Sequence, residues 1–113
     1  MPADGKLTDI WAKALVLRDQ TGQEAVLITA DLIGIGAAST KQITAELRKR
    51  HGLERSQIAI ATSHTHTGPA LSDNLVPLHY LRASEEEAAR IQRYTERLRV
   101  MLVDVVSEAY KTM

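Results

Sequence analysis

The chain has 113 residues, enough for one domain with a single modest core. Its 14 basic and 14 acidic side chains cancel, which argues against nucleic acid or an anionic membrane surface as a bulk electrostatic partner. With no Cys there is no disulfide framework, and no apolar run approaches the roughly 20 residues of a spanning helix, so no transmembrane segment is expected. The opening residues Met1 to Lys6 contain no apolar core of a signal peptide, so none is expected in this chain, and localisation is left unassigned. Phe is absent, and one Trp and three Tyr leave the core to aliphatic side chains.

Residues 1–9 are expected to be flexible. Ile10 to Arg18 alternates loosely, with Trp11, Leu15 and Leu17 on one face and Ala12, Ala14 and Val16 on the other. Asp19 to Gln23 forms turns, and Ala25 to Ala30 is a near-continuous apolar strand, so the two strands read as an antiparallel hairpin. The missing alternation in the second strand predicts that both of its faces are covered. Ser39 with Gln42 predicts a capping box opening a helix from Thr40 to about Arg50, with Ile43, Ala45 and Leu47 turned inward and Gly52 as its stop. Ile58 to Thr62 reads as a buried strand parallel to Ala25–Ala30 through a right-handed crossover. A long loop, 70–83, follows. Ser84 and Glu87 then predict a second capping box, and Ala88, Ile91, Tyr94, Leu98, Leu102, Val105 and Ala109 recur at helical spacing to about Lys111. The fold class is α/β: a small sheet of about three strands (hairpin, helix, parallel strand) with a long C-terminal amphipathic helix.

Ser63-His64-Thr65-His66-Thr67-Gly68-Pro69 follows the third strand directly. In an extended backbone, residues i and i+2 share a face roughly 6.6 Å apart, so both imidazoles can reach one point. Histidine is the commonest metal ligand, and neutral imidazole suits zinc. The same two rings can equally be solvated residues beyond a strand end. In open α/β sheets, sites form at the carboxyl ends of strands, which brings Asp31 to the same edge as His64. Asp31 then either orients a ligating His through its ring N–H or simply caps the strand end. Weaker features have ordinary structural readings. Gly34-Ile35-Gly36 gives freedom at a helix entry, and His51 complements a helix dipole. The basic run Arg48 to His51 is a solvated face, and Trp11 is a core residue or an interface anchor. His79 and Tyr80 can line a pocket or stay solvated in the long loop.

The segment Ile58 to Pro69, IAIATSHTHTGP, resembles the Ser/Thr-His-Thr-His-Ser/Thr-Gly-Pro motif of the neutral/alkaline (non-lysosomal) ceramidases. Three upstream blocks, WAKALVLRDQTG, AVLITADLIGI and the helix ending in RKRHGLERSQI, stand in the same order as in that family. The resemblance spans most of Ile10 to Leu71. It implies a zinc-dependent amide hydrolase that cleaves ceramide to sphingosine and a fatty acid, with a ceramide-like lipid amide as substrate. It makes His64 the zinc ligand and His66 a neighbour contacting substrate or bound water. Asp31 joins them as a candidate catalytic residue from its strand-end position. Family members take a further His, a Glu and a Tyr from later in their chains, and this sequence offers no matching positions for them. They are often secreted. The Gly-rich, Thr-Pro-containing opening strand usual in the family is also missing. The resemblance therefore implies that 1–113 is a single partial domain, the N-terminal portion of such an enzyme and incomplete as a catalyst alone.

A reading from another class stands beside this one: a small non-catalytic α/β module with solvated histidines, associating through its long helix or an exposed strand edge. Either way a homo-oligomer, or association with a C-terminal part, is open. An amidohydrolase-type H-x-H barrel is disfavoured by chain length.

Overall fold

The computed structural model describes residues 3–113. Three strands and two helices follow in the order β1 (Ala12–Arg18), β2 (Glu24–Ala30), α1 (Ala37–His51), β3 (Ile58–Thr62) and α2 (Glu85–Lys111), with 3₁₀ turns at Arg55–Gln57 and Tyr80–Arg82. Of the stretch 1–9, residues 1 and 2 lie outside the described residues, and 3–9 form neither helix nor strand. The sheet order is β1-β2-β3. β1 pairs antiparallel with β2 from Ala12↔Ala30 to Arg18↔Glu24, and β3 runs parallel to β2 from Val26↔Ile58 to Ala30↔Thr62. This is the α/β arrangement that the apolar patterning predicts. Asp19 closes the hairpin, its Oδ1 accepting the N–H groups of Thr21 (2.8 Å) and Gln23 (2.9 Å), the local bonding by which Asp favours turns.

β2 departs from expectation. Val26, Ile28 and Ala30 are buried, whereas Ala25, Leu27 and Thr29 between them are exposed. Only one face is covered, because the hairpin's Ala12, Ala14 and Val16 and both helices lie on that side. The other face presents Leu15, Leu17 and Leu27, with Leu15 and Leu27 directly opposite one another in the register and Ala59 next in line on β3. Trp11 lies at the end of this strand at 65% exposure, so it is not a core residue.

α1 begins at Ala37, three residues earlier than its sequence suggests, and Gly36 occupies the N-cap without a side-chain hydrogen bond. The expected Ser39–Gln42 capping box does not form. Ser39 is buried, its hydroxyl accepting Nε of Arg99 (3.0 Å), and Gln42 accepts Nη1 of the same arginine (2.9 Å). The cap comes from elsewhere: Asp73 Oδ2 accepts the Ser39 N–H at 2.6 Å, satisfying one of the orphan donors of the first turn. Gly36 makes room for it, since a Cβ there would stand 2.0 Å from the Asp73 carbonyl oxygen. Ile43 and Leu47 are buried on α1, one turn apart; Ala45, two residues from each, is on the opposite side and exposed. Gly52 ends the helix at φ 70°, as expected of a glycine stop.

The second capping box forms as expected: Ser84 Oγ accepts the Glu87 N–H and Glu87 Oε2 accepts the Ser84 N–H. The backbone N–H of Ser84 and its hydroxyl hold the Glu87 carboxyl below its usual value. Along α2 the buried stripe is Thr95, Leu98, Leu102, Val103 and Val106, so Leu98 and Leu102 match the predicted stripe while Val105 gives way to its neighbours. At the far end, Tyr110 donates to Glu24 Oε2 (2.6 Å) and stacks on His51 with ring centroids 4.4 Å apart. His51 is half-buried, with Nε2 2.8 Å from Ser107 Oγ, so it ties α1 to α2 rather than lying free on the surface.

Two outcomes are expected. Asp73→Ala should cost about 1–2 kcal/mol through the lost cap. Gly36→Ala should cost about 3 kcal/mol through overpacking. Both are read from the urea midpoint at constant slope, and an unshifted midpoint for Asp73→Ala would refute the cap. The Tyr110 hydroxyl is pushed up to about 12 from the ordinary 10.0, first by burial and then by its bond to Glu24. A raised folded value stabilises below the unfolded one and loses that contribution as pH climbs from 10.0 to about 12. Stability measured across this window should therefore fall more steeply in the wild type than in Tyr110→Phe; identical profiles would exclude the linkage.

Candidate functional site

The parallel strands β2 and β3 end side by side at Ala30 and Thr62, and the Ser63 N–H reaches the Ala30 carbonyl (3.1 Å), extending the ladder by one bond. There the chain leaves the sheet. His64 has φ 59°, a left-handed conformation uncommon for a residue with a side chain. The two imidazoles therefore do not converge by strand alternation, as an extended backbone would arrange; a turn brings them together. Their ring centroids lie 5.0 Å apart with an interplanar angle of 82°, edge to face.

His64 Nδ1 lies 2.8 Å from the carbonyl oxygen of Ile33. A carbonyl only accepts, so Nδ1 carries the proton and neutral His64 keeps its lone pair on Nε2. This is the hydrogen-bonding pattern that orients a metal-ligating imidazole. The partner differs from the one the sequence suggests. Asp31 lies at the same sheet edge, but its Oδ2 accepts the Trp11 N–H (3.0 Å) while its own N–H donates to the Trp11 carbonyl (2.9 Å). Asp31 thus extends the hairpin by one rung, the strand-end role, and the orientation of His64 falls to Ile33. Thr65 Oγ1 pairs with Thr67 Oγ1 (3.1 Å), closing the turn on itself. Gly68 packs closely: a Cβ there would meet the Thr65 methyl at 3.2 Å and the Asp31 carbonyl at 3.3 Å.

Among the described residues no three His, Asp or Glu side chains stand close enough to hold a metal ion together. His64 fits the part of one ligand, with His66 beside it. A catalytic zinc takes about three protein ligands, more than the two imidazoles gathered here.

His66 also opens onto a cleft of 1170 Å³. Thr67 to Ala70 form one wall, Leu78, His79, Arg82 and Ala83 another, and residues of α2 between Glu87 and Arg97 the third. His79 lines it, whereas Tyr80 is not among the lining residues. Arg82, Arg90, Arg93 and Arg97 all border it, a cationic wall that a reading centred on histidines overlooks. Its signal was in the sequence, at the spacing i, i+3 and i+7 from Arg90. Burial raises the pKa of the Tyr94 hydroxyl in the same wall, and the Arg97 cation opposes that rise. A second groove of 640 Å³ lies between α1 and α2, lined by Gln42, Lys49, Arg99 and Val100 among others, with none of the candidate residues in it.

Comparison with family models, curated proteins and solved structures finds no match to this chain. The imidazole geometry is directly measurable. Long-range ¹H–¹⁵N spectra near neutral pH should show neutral His64 as the Nδ1–H tautomer. A neutral ring protonated mainly on Nε2 would contradict the bond to Ile33.

Proposed function

We propose that this chain supplies the first zinc ligand, His64, of a ceramidase-like amide hydrolase acting on N-acyl lipid amides. The observation that carries the reading is the Ile33 carbonyl on Nδ1, which leaves Nε2 as the donor and holds the ring at the carboxyl ends of two parallel strands. The Ser-His-Thr-His-Thr-Gly-Pro motif supports it from the sequence side. Zinc supplies Lewis acidity to such a reaction, lowering the pKa of water and polarising the amide carbonyl.

The chain's own residues do the rest of what this fragment of a site can do. His64 donates through Nε2. His66, at the cleft mouth, contacts the ligand or a water beside it. Thr67 and Gly68 line the cleft next to His66. The remaining ligands come from another polypeptide segment or a second copy of the chain, and hydrolysis of ceramide to sphingosine and a fatty acid is the work of the completed site.

A second reading has its own observation: the exposed Leu15, Leu17 and Leu27 on the open sheet face suit a non-catalytic module that associates through that surface.

Adding zinc chloride to ¹⁵N-labelled protein should shift His64 Nε2 first while Nδ1 stays protonated. His64→Ala should lose this response, and Asp31→Asn should keep it because Asp31 binds backbone rather than the ring. Zinc shifts that persist in His64→Ala, or that displace the Nδ1 proton first, would overturn His64 as the ligand.

A further inference from the structure

We infer that the cleft beside His66 is a binding site for an oxyanion, a phosphate ester or a carboxylate, carried on an apolar body. Of the chain's 14 basic residues, Arg82, Arg90, Arg93 and Arg97 border this one cleft, together with His66 and His79. The chain as a whole has no net charge, so the concentration is local.

Two acids also line the cleft, and both are engaged. Glu87 accepts the Ser84 N–H in the capping box (2.9 Å), and Glu96 accepts Nε2 of Gln92 (3.1 Å). Arg90 has Glu86 at 3.8 Å, a long pair. Among the described residues, Arg82, Arg93 and Arg97 form no ion pair at all. The contrast lies on the same helix: Arg99, facing α1, is held by Ser39 and Gln42. Arg93 and Arg97 stand one helical turn apart, a like-charged spacing that disfavours the helix unless an anion lies between them. From Arg90 to Arg97 the helix rises about 10 Å, so the arginines form a row rather than a point.

Guanidinium groups hold carboxylates and phosphates through two parallel N–H bonds, which selects oxyanions over other anions. The remaining lining sets the rest of the ligand. Leu78 and Ile91 also line the cleft and contribute apolar surface, so a short hydrocarbon chain attached to the anion has a surface to cover. Ceramide carries no charge and only the fatty acid released from it would, so a phosphate ester bound here lies beyond what the hydrolase reading alone requires. The inference does not depend on zinc, because the arginines line the cleft whether or not His64 binds metal.

The test is a titration of ¹⁵N-labelled protein in EDTA, following arginine Nε–H and backbone resonances, with inorganic phosphate, monomeric octyl phosphate and octanol as separate probes. Octyl phosphate is expected to shift Arg93, Arg97 and the 66–70 backbone and to bind about tenfold more tightly than inorganic phosphate. The Arg93→Gln/Arg97→Gln double variant should weaken it about tenfold, whereas Lys49→Gln, in the other groove, should leave it unchanged. These arginines are exposed and unpaired, so the double variant is expected to keep the wild-type unfolding midpoint. Equal binding of wild type and double variant overturns the site, as do shifts confined to Leu15 and Leu27 on the open sheet face. Equal affinity for octyl and inorganic phosphate overturns the apolar body. Sedimentation with phosphatidylglycerol vesicles without any response to octyl phosphate overturns the cleft in favour of a bilayer surface.

Discussion

The carboxylate of Asp73 ties the segment after the histidine turn to both helices. Asp73 accepts the Ser39 N–H at the start of α1, and its Oδ2 lies 3.9 Å from the Arg99 guanidinium of α2. Next to it Ser72 donates to Thr95 Oγ1 (3.0 Å), and Leu71 is fully buried. Three consecutive residues thus nail the segment after the histidine turn to both helices. A hydrogen bond to a charged group contributes about 1.5–3 kcal/mol, and an unpartnered buried polar atom costs about 1–3 kcal/mol. Asp73 has one of each, because its Oδ1 is buried without a partner. The balance is set by the helix N-terminus and Arg99, both positive towards it. Without this junction the segment between Gly68 and α2 would lose its polar anchors, while α1 and α2 would still be joined through Arg99, the Arg50–Asp104 pair and His51–Ser107.

The sheet is the second constraint, and it is one-sided. Ile28, Leu47 and Leu102 all reach near-zero exposure on the helix side, where full burial of such a side chain contributes about 1.5–3 kcal/mol. The opposite face keeps Leu15, Leu17 and Leu27 in contact with solvent and gains nothing comparable. β1 and β3 are both edges. The core therefore holds the carboxyl ends of β2 and β3 rigidly from one side only, and this side carries both helices.

What could be read in advance follows from how local each cause is. The hairpin turn at Asp19, the Gly52 stop and the Ser84–Glu87 box are each written within a few residues, and each is present in the structure. The α1 cap was not legible, because its acceptor, Asp73, lies 34 residues away from the N–H it satisfies. Ser39 and Gln42 carry the right letters for a box but are drawn to Arg99, 60 and 57 residues on. Leu27 misled for another reason: an apolar run is the same string whether its second face is covered or bare. At the site, the position of His64 at a strand end was legible and the Ile33 carbonyl was not. A backbone acceptor has no residue type, so the sequence offered only Asp31 for that role.

The two halves of the site are held to different degrees, and this bears on what they can do. The histidine turn leaves a paired strand, is anchored through Nδ1 to Ile33, and is closed by Gly68 against the Asp31 carbonyl. A left-handed backbone at His64 costs about 1–3 kcal/mol and persists only where the surroundings over-determine it, as these contacts do. The facing wall is different. From Asn74 to Ala83 the hydrogen bonds among the described residues are all local: Asn74 to Leu71, Leu78 and His79 to Leu75, Leu81 to Val76, Ala83 to Tyr80. Leu78 and Leu81 are exposed rather than packed. Segments held by local bonds and few buried contacts open at the least free energy. The imidazole of His64 is thus fixed while the width of the cleft beside His66 is set by a segment held only by local bonds. Such a division suits a site in which one atom must be placed accurately and the body of the ligand can vary.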